Sequence, residues 1–555
     1  MLMYLLPLLF LNVNPLAWIY ERNALFYKEQ VLRLIIGAIY TFVVFYIFLI
    51  DVTLDAAFAW YAVVVALNFF ISSFRKKRTN MELNILSGMG VILILAAGYF
   101  TFINPIFTAS ERNEIPEAEV SQEQLEPINE ENIRVVPYEY ARYQSEVVFG
   151  SLDNYAFYSL GESSIQKIDD ELFWVTPIEY SDFFRWIRTD SVPGYIAVSA
   201  EDPNDQAELV DDYEMTVVPS AFFGENLKRH VRRSYPEEIL IGTSFEPDED
   251  GHPYYVYSYA NYQHFRHGAK AEGVIVVDAV TGEMEDYALG EMPAFIDQGI
   301  AESISYNYNQ WFGWYKNGFL NRFLGREGVH EPRREELIGV FNEDLDMHWF
   351  VDHERPTGEG NTMVGFSMIN ARTGEMTYYE GASGILNGEA SRSLVDRTFE
   401  RENWVGTQPV LYSIYEEYTW VVPVVDRNDN YRKLALVHAD SGNVVYGDTR
   451  REAFDEYQYM LATDLQSDAD IPTDVANEVV ETKTVLRVSI TEGEDGQVIR
   501  LLFEDDDRIF TITSSESTMA TFIEPGDQLE INYIDTEEQN ISIQEFTNLT
   551  LEEQE

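Results

Sequence analysis

Ser164 and Lys167 bracket the stretch SIQK, and Tyr259-Ala-Asn261 follows further along. On one helical face, a serine and a lysine three residues apart could form and break an acyl bond, as in penicillin-interacting serine enzymes. The third element of that constellation, K-T-G, is missing: "KTV" at 483–485 belongs to the C-terminal end of the chain, and Ser164 lies in a polar turn. His264 and His267 stand three apart, and His348 and His353 five apart, but neither pair has a second pair at zinc-site spacing and there is no cysteine. "DRNDN" (426–430) begins like a calcium loop, yet Tyr431 and Val437 occupy the positions where Gly and Glu are needed. G-x-S-x-G, H-E-x-x-H and phosphate-loop patterns do not occur. The sequence therefore predicts no catalytic residue, no metal centre and no cofactor.

Two segments read as surfaces instead. "PSAFFGENLKRHVRRSYP" (219–236) predicts one helix starting at Ser220 and ending before Pro236, with Lys228, Arg229, His230, Arg232 and Arg233 in its second half. Cations there complement the helix dipole; they could also form an anion-binding patch. "ISYNYNQWFGWYKNGFLNRFLGREG" (304–328) carries an aromatic stripe at three- and four-residue steps, including Trp311 and Tyr315, with Trp314 beside it. Such a stripe serves a core, or rests on a membrane interface when Lys316, Arg322 and Arg326 flank it.

The elements that must position these residues fall into two environments. Residues 1–107 hold seven Lys/Arg against five Asp/Glu, whereas residues 108–555 hold 31 against 89. Apolar runs at 2–20, 31–50, 56–74 and 83–107 predict a bundle of four membrane-spanning helices of about 20 residues each. The first run contains Asn12, Asn14 and Pro15, which leaves three spans and one interfacial segment as the alternative. The cluster Arg75-Lys76-Lys77-Arg78, together with Arg22, Lys28 and Arg33, falls on one side of the spans, and Asp51 and Asp55 on the other. The positive-inside bias then puts residues 108–555 outside the cytoplasmic membrane. An outer part this acidic repels nucleic acid, and an outer domain without cysteine suits a bacterial envelope.

The chain divides into five stretches, transmembrane region 1–107, acidic stalk 108–135, main domain 136–463, linker 464–481 and a small β-barrel-like module 482–555, and the outer part predicts an α+β fold. Three copies of a strand–turn–strand pattern recur in the main domain: "VIVVDAVTGEMEDY" (274–287), "FSMINARTGEMTYY" (366–379) and "ALVHADSGNVVYGD" (435–448). Gly282, Gly374 and Gly442 supply the positive φ of a tight hairpin, with Asp278, Glu283, Asn370 and Glu375 around them. A degenerate fourth copy is expected at "LFWVTPIEY…GYIAVSAEDPNDQAELV" (172–210). This D-x-x-T-G-E pattern after an apolar strand resembles the PepSY-like modules of bacterial envelope proteins. The resemblance implies repeated antiparallel sheets, each backed by a helix, a binding or regulatory role, and no catalytic residues.

The last stretch predicts five strands with a short helix at "ESTMATFI" before the fourth, an order compatible with an OB-like barrel. Its acidic strands oppose nucleic-acid binding. Together these features predict an integral membrane protein whose extracytoplasmic domain binds, scaffolds or regulates an envelope partner or a second copy of itself. An envelope hydrolase acting on wall polymer or peptide is the alternative. Convergent carboxylates or perturbed histidines in a groove would favour the hydrolase, and a broad exposed aromatic patch the interface.

Overall fold

The computed structural model describes residues 2–73, 80–125, 133–333, 337–342, 344–356, 360–380, 382–465, 477–493, 496–504, 506–514, 517–535 and 540–552. The Arg75–Arg78 cluster lies outside them, as do residues 126–132 of the predicted stalk and most of the predicted linker. The chain divides into two compact units, Met1–Tyr431 with Ala439–Gly442, and Arg432–His438 with Asn443–Glu555.

Among the described residues, three helices are long and apolar enough to cross a membrane: Ala24–Ile47, Leu54–Ser73 and Asn84–Phe107. Large apolar side chains such as Ile39, Ile71 and Leu95 stand exposed along them. The first of the four predicted runs is instead broken into Leu2–Leu5, Leu6–Phe10 and Pro15–Tyr20. The cause is local. Asn14 caps the last piece by accepting from the amides of Leu16 (2.9 Å) and Ala17 (3.3 Å), and Pro15 fills a first-turn position where no amide is needed. The break frees carbonyls and amides that neighbouring helices satisfy, as an apolar medium demands. Asn68 Nδ2 donates to the carbonyls of Leu9 (2.8 Å) and Leu11 (2.7 Å), Gln30 accepts from the amide of Asn12 (2.9 Å), and Arg33 donates to Asn68 Oδ1 (2.7 Å).

Beyond the spans, one helix-then-strands order repeats. Helix Tyr138–Phe149 precedes a first sheet built on Glu171–Tyr180, Val192–Ser199 and Glu208–Met215. Helix Leu227–Ser234 precedes a second sheet of Ile239–Pro247, Pro253–His264, His267–Asp278 and Met284–Ala288. Helix Glu302–Trp314 precedes a third of Ile338–Phe341, Met347–Glu354, Gly365–Asn370 and Met376–Tyr379. Helix Gly388–Thr398 precedes the paired strands Val410–Ile414 and Glu417–Val425. One apolar core runs through the first three sheets, from Ala109 to Met376.

One alanine per copy explains the repeat. Ala200, Ala279, Ala371 and Ala439 are fully buried. The amide of each donates to the start of a neighbouring strand, at Leu172 (2.7 Å), Pro253 (3.1 Å), Met347 (2.8 Å) and Tyr418 (2.9 Å). The carbonyl of each accepts from the segment entering the helix of its own copy: Val136 (2.9 Å), Thr216 (2.8 Å), Ile300 (2.7 Å) and Leu386 (2.8 Å). A larger side chain at a buried chain crossing like this would overpack it.

The segment read as a solvated stalk is bound to the domain. Glu119–Ser121 extends the third sheet in parallel with Met376–Tyr379, and Ile133, Val135 and Val136 are buried, the latter two donating to Ala200. Acidic composition does not prevent a backbone from completing an open sheet edge.

In the second unit, strand Asn477–Gly493 begins inside the predicted linker and pairs with both Gly496–Phe503 and Gln528–Asp535. Asp506–Thr513 pairs with Gly496–Phe503 and lies parallel to Asn540–Asn548, which in turn pairs with Gln528–Asp535. A short helix, Thr518–Phe522, precedes the fourth strand. Phe503, Phe510, Leu529, Ile531 and Ile541 form the core of this module.

Candidate functional site

The principal junction of the first unit is the tip of the hairpin between Pro253–His264 and His267–Asp278. Phe265 and Gly268 adopt positive φ, 55° and 67°, and the tight reversal projects Phe265 and Arg266 towards the helices. Phe265 packs against Phe58 and Phe100 at ring separations of 5.8 and 4.7 Å. Arg266 grips Asp51 through two hydrogen bonds (3.0 and 2.9 Å), approaches Asp55 at 3.4 Å and lies over the Tyr262 ring. Burial alone would raise the Asp51 carboxyl, but Arg266 and the Thr53 hydroxyl outweigh it and hold it below the usual range. Burial likewise opposes the Arg266 charge, and the two aspartates more than compensate. The arrangement is a forked, charge-assisted contact.

Two carbonyls of the helices complete the junction. The helices widen into i→i+5 turns at Val43–Ile47 and Tyr99–Ile103, where the tighter hydrogen-bond ladder is interrupted. Tyr46 O accepts from Arg229 (2.5 Å) and Phe100 O lies 3.2 Å from His267 Nε2. Arg229 also stacks over the Tyr46 ring at 4.7 Å.

The basic helix is shorter than the sequence predicts. It spans Leu227–Ser234, capped by Asn226 rather than Ser220, whose hydroxyl instead accepts from the amide of Tyr180 (2.9 Å). Its cations diverge. Arg229 reaches the helices, and Arg232 is buried among the carbonyls of Tyr235, Pro236 and Glu238. His230 Nε2 lies 2.7 Å from Gly282 O. Lys228 and Arg233 face outward. The five therefore do not converge on one anion.

The aromatic stripe likewise divides. Trp311 and Tyr315 are buried in the core, so neither offers a binding surface. Trp314 is half-buried, donating to Glu331 (2.9 Å) beneath the Arg322 guanidinium.

The repeat turns are structural. Asp278 Oδ1 accepts from the amides of Val280 (2.8 Å) and Thr281 (3.0 Å), and Asn370 Oδ1 does the same for Arg372 and Thr373 (2.9 Å each). Gly282, Gly374 and Gly442 take φ of 77°, 83° and 75°. At Gly374 a Cβ would also stand 2.5 Å from Ile300. The amides of Glu283 and Glu375 bond to the hydroxyls of Thr281 and Thr373 (3.2 and 3.3 Å).

Two buried polar clusters have no local signature in the sequence. His330 and His353 face each other, Nδ1 to Nδ1 at 2.8 Å, and His353 Nε2 lies 2.9 Å from Asn309 Oδ1, to which Ser367 also donates. Burial lowers both imidazoles, His330 to about 3. Glu246 and Asp297 form the second cluster. Glu246 accepts from Ser244 and the amides of Asp297 (2.6 Å) and Gln298 (3.3 Å), while Asp297 accepts from the amide of Lys167 (2.7 Å). Burial pushes Glu246 up to about 7; burial and the neighbouring Glu246 push Asp297 up to about 8. All four groups are sealed, none more than 5 % exposed. The only pattern resembling an acylating pair dissolves as well: Ser164 and Lys167 lie on the strand Ser164–Ile168, where residues three apart point to opposite faces. Among the described residues, no three His, Asp or Glu side chains gather as a metal site.

Comparison with known proteins leaves the geometry to stand by itself. No family model matches the sequence, and no curated protein matches it. A solved structure titled "Crystal structure of polysaccharide lyase Uly1" aligns over 64% of this chain at 8% identity and a TM-score of 0.16, a likeness that carries no argument. The chain spans little more than half, 57%, of that structure's length.

Proposed function

We propose that this is a multi-pass membrane protein whose acidic extracytoplasmic domain, built of PepSY-like repeats and ending in an OB-type barrel, binds, scaffolds or regulates a partner at the bacterial cell envelope without catalysing a reaction. The observation that carries the reading is the Arg266–Asp51–Asp55 clamp. It fixes the large domain to the ends of the helices that bear the anionic loop, the end that the charge bias places outside the cell. The OB assignment rests on strand pairing: the path first-second-third-fifth-fourth returns to the first strand, with a parallel third–fifth pair and a helix before the fourth.

The non-catalytic reading is favoured over the hydrolase by where the perturbed groups lie. His330, His353, Glu246 and Asp297, all of shifted pKa, are walled inside the core, whereas aromatic side chains stand exposed at the surface. Single cysteines test the topology directly, because the natural chain contains none. A cysteine at Asp429 should react with a membrane-impermeant maleimide on intact cells. Labelling only after the inner membrane is opened would overturn the reading.

A further inference from the structure

Two exposed aromatic patches remain after the core and the junction are accounted for. In the first, Phe183, Phe184, Trp186, Phe222 and Phe223 pack ring to ring at 5.0 to 6.3 Å. Phe184, Ile187 and Phe223 nevertheless remain 64%, 62% and 58% exposed. The rings already pack edge-on or tilted against one another, so their outer faces are held in place without a partner. In the second, Phe319 packs between Tyr315 and Phe323, and Leu320, Phe323 and Leu324 are 64%, 56% and 81% exposed. Contiguous apolar surface of this kind marks a binding face.

Both patches are tied to the same end of the candidate spans. Phe222 and Phe223 lead into helix Leu227–Ser234, whose Arg229 grips Tyr46 at the end of the span Ala24–Ile47. The second patch leaves the third span. Arg112 donates to Pro105 within Asn84–Phe107 and lies 4.6 Å over the Tyr315 ring, and a Cβ at Gly318 would meet Ser110 Oγ at 3.3 Å. Cations stand beside both patches: Arg185, paired with Asp182, and Arg188 beside the first, where Trp186 also donates to Glu225 (2.7 Å), and Lys316 and Arg326 beside the second. In a domain with so large an excess of carboxylates the second patch is the local exception. Aromatic rings bordered by cations at the end of a span are what an interfacial zone selects.

We propose that the two patches rest in the headgroup region of the outer leaflet, so that the domain lies on the lipid surface as well as being held by the spans. The proposal depends on the membrane reading above, and its test separates the two. Single cysteines at Phe184, Leu324, Val405 and Ile92 carry an environment-sensitive fluorophore in the full chain, reconstituted into phosphatidylethanolamine–phosphatidylglycerol vesicles. Positions 184 and 324 should be quenched by a lipid spin-labelled near the headgroup, and should be several-fold less sensitive to aqueous iodide than position 405, on the short strand Val405–Gly406 paired with Glu417–Val425. Position 92, within the third span, should respond to a lipid labelled deep in its acyl chain. If 184 and 324 follow 405 while 92 remains lipid-quenched, the patches do not touch lipid and this proposal fails alone. Shielding of 184 and 324 from both iodide and lipid would assign them to contact between protein copies and would equally overturn it. Iodide quenching at 92 would remove the membrane reading itself.

Discussion

Arg266 and the His330–His353 pair are both polar groups in a largely apolar setting, and they solve the problem of burial in opposite ways. Arg266 keeps its charge and meets it with two carboxylates, Asp51 from the loop before helix Leu54–Ser73 and Asp55 from that helix's first turn. His330 and His353 give up charge altogether and share hydrogen bonds with Asn309 and Ser367 inside one sheet–helix unit. An ion pair suits a junction, because it resists mismatched partners and fixes orientation. A neutral network suits a core, where an unpaired charge could not be tolerated. The difference identifies which contact joins the domain to the helices and which merely holds the domain together.

The largest effect should come from breaking the clamp. Arg266→Met leaves Asp51 buried and uncompensated, which costs about 3–5 kcal/mol in comparable pairs. Thermal unfolding in detergent should shift down accordingly. The double variant Arg266→Met/Asp51→Leu should recover most of the loss, since a matched apolar pair replaces a matched ionic one. Equal stability of the single variant and the natural chain would remove the clamp as the element joining domain to helices.

A smaller change sharpens the other side. His353→Leu strands Asn309 and His330, and should cost about 1–3 kcal/mol. Acid should act on the same pair. Both imidazoles titrate below their unfolded value of about 6.5, so their contribution is complete above that pH and is lost as pH falls towards 3. Glu246 and Asp297 run the other way. Their raised values mean that stability is complete below about 4 and is lost as pH rises through 7 and 8. Melting temperature measured from pH 4 to 9 should therefore fall less on the acid side in His330→Gln/His353→Gln, and less on the alkaline side in Glu246→Gln. Parallel profiles for all three proteins would contradict the burial of these groups.

Much of the framework was legible because it depends on local patterns. Three helices of span length, the strands of the C-terminal module and the repeat turns follow from runs of apolar residues and glycines needing positive φ. In the first apolar run Asn12, Asn14 and Pro15 mark the interruption, but only the structure shows that Asn14 caps a new helix there. The stalk was misjudged because pairing at a sheet edge is made by backbone, which composition does not describe. The clamp, the histidine pair and the Phe183–Phe223 cluster each join residues distant in sequence, and no spacing rule reports such partners. Ala200, Ala279, Ala371 and Ala439 lie between these extremes. The alanine is visible in every copy, but its purpose appears only when its amide and carbonyl are seen joining two segments.

The smallest effect tests whether the repeat turns do anything beyond folding. Asp278 and Asn370 occupy equivalent positions and use the same oxygen for the same two amides. What the turn requires is an acceptor two atoms from the backbone, not a charge. Asp278→Asn should therefore change stability by less than about 0.5 kcal/mol, with His252 Nε2, 3.1 Å from Oδ1, still facing an oxygen. Asp278→Ala, which removes the acceptor, should cost about 1 kcal/mol. If Asp278→Asn left the melting temperature unchanged yet abolished a cellular activity, the carboxylate would have to act on a ligand, and the turn would move from scaffold to site.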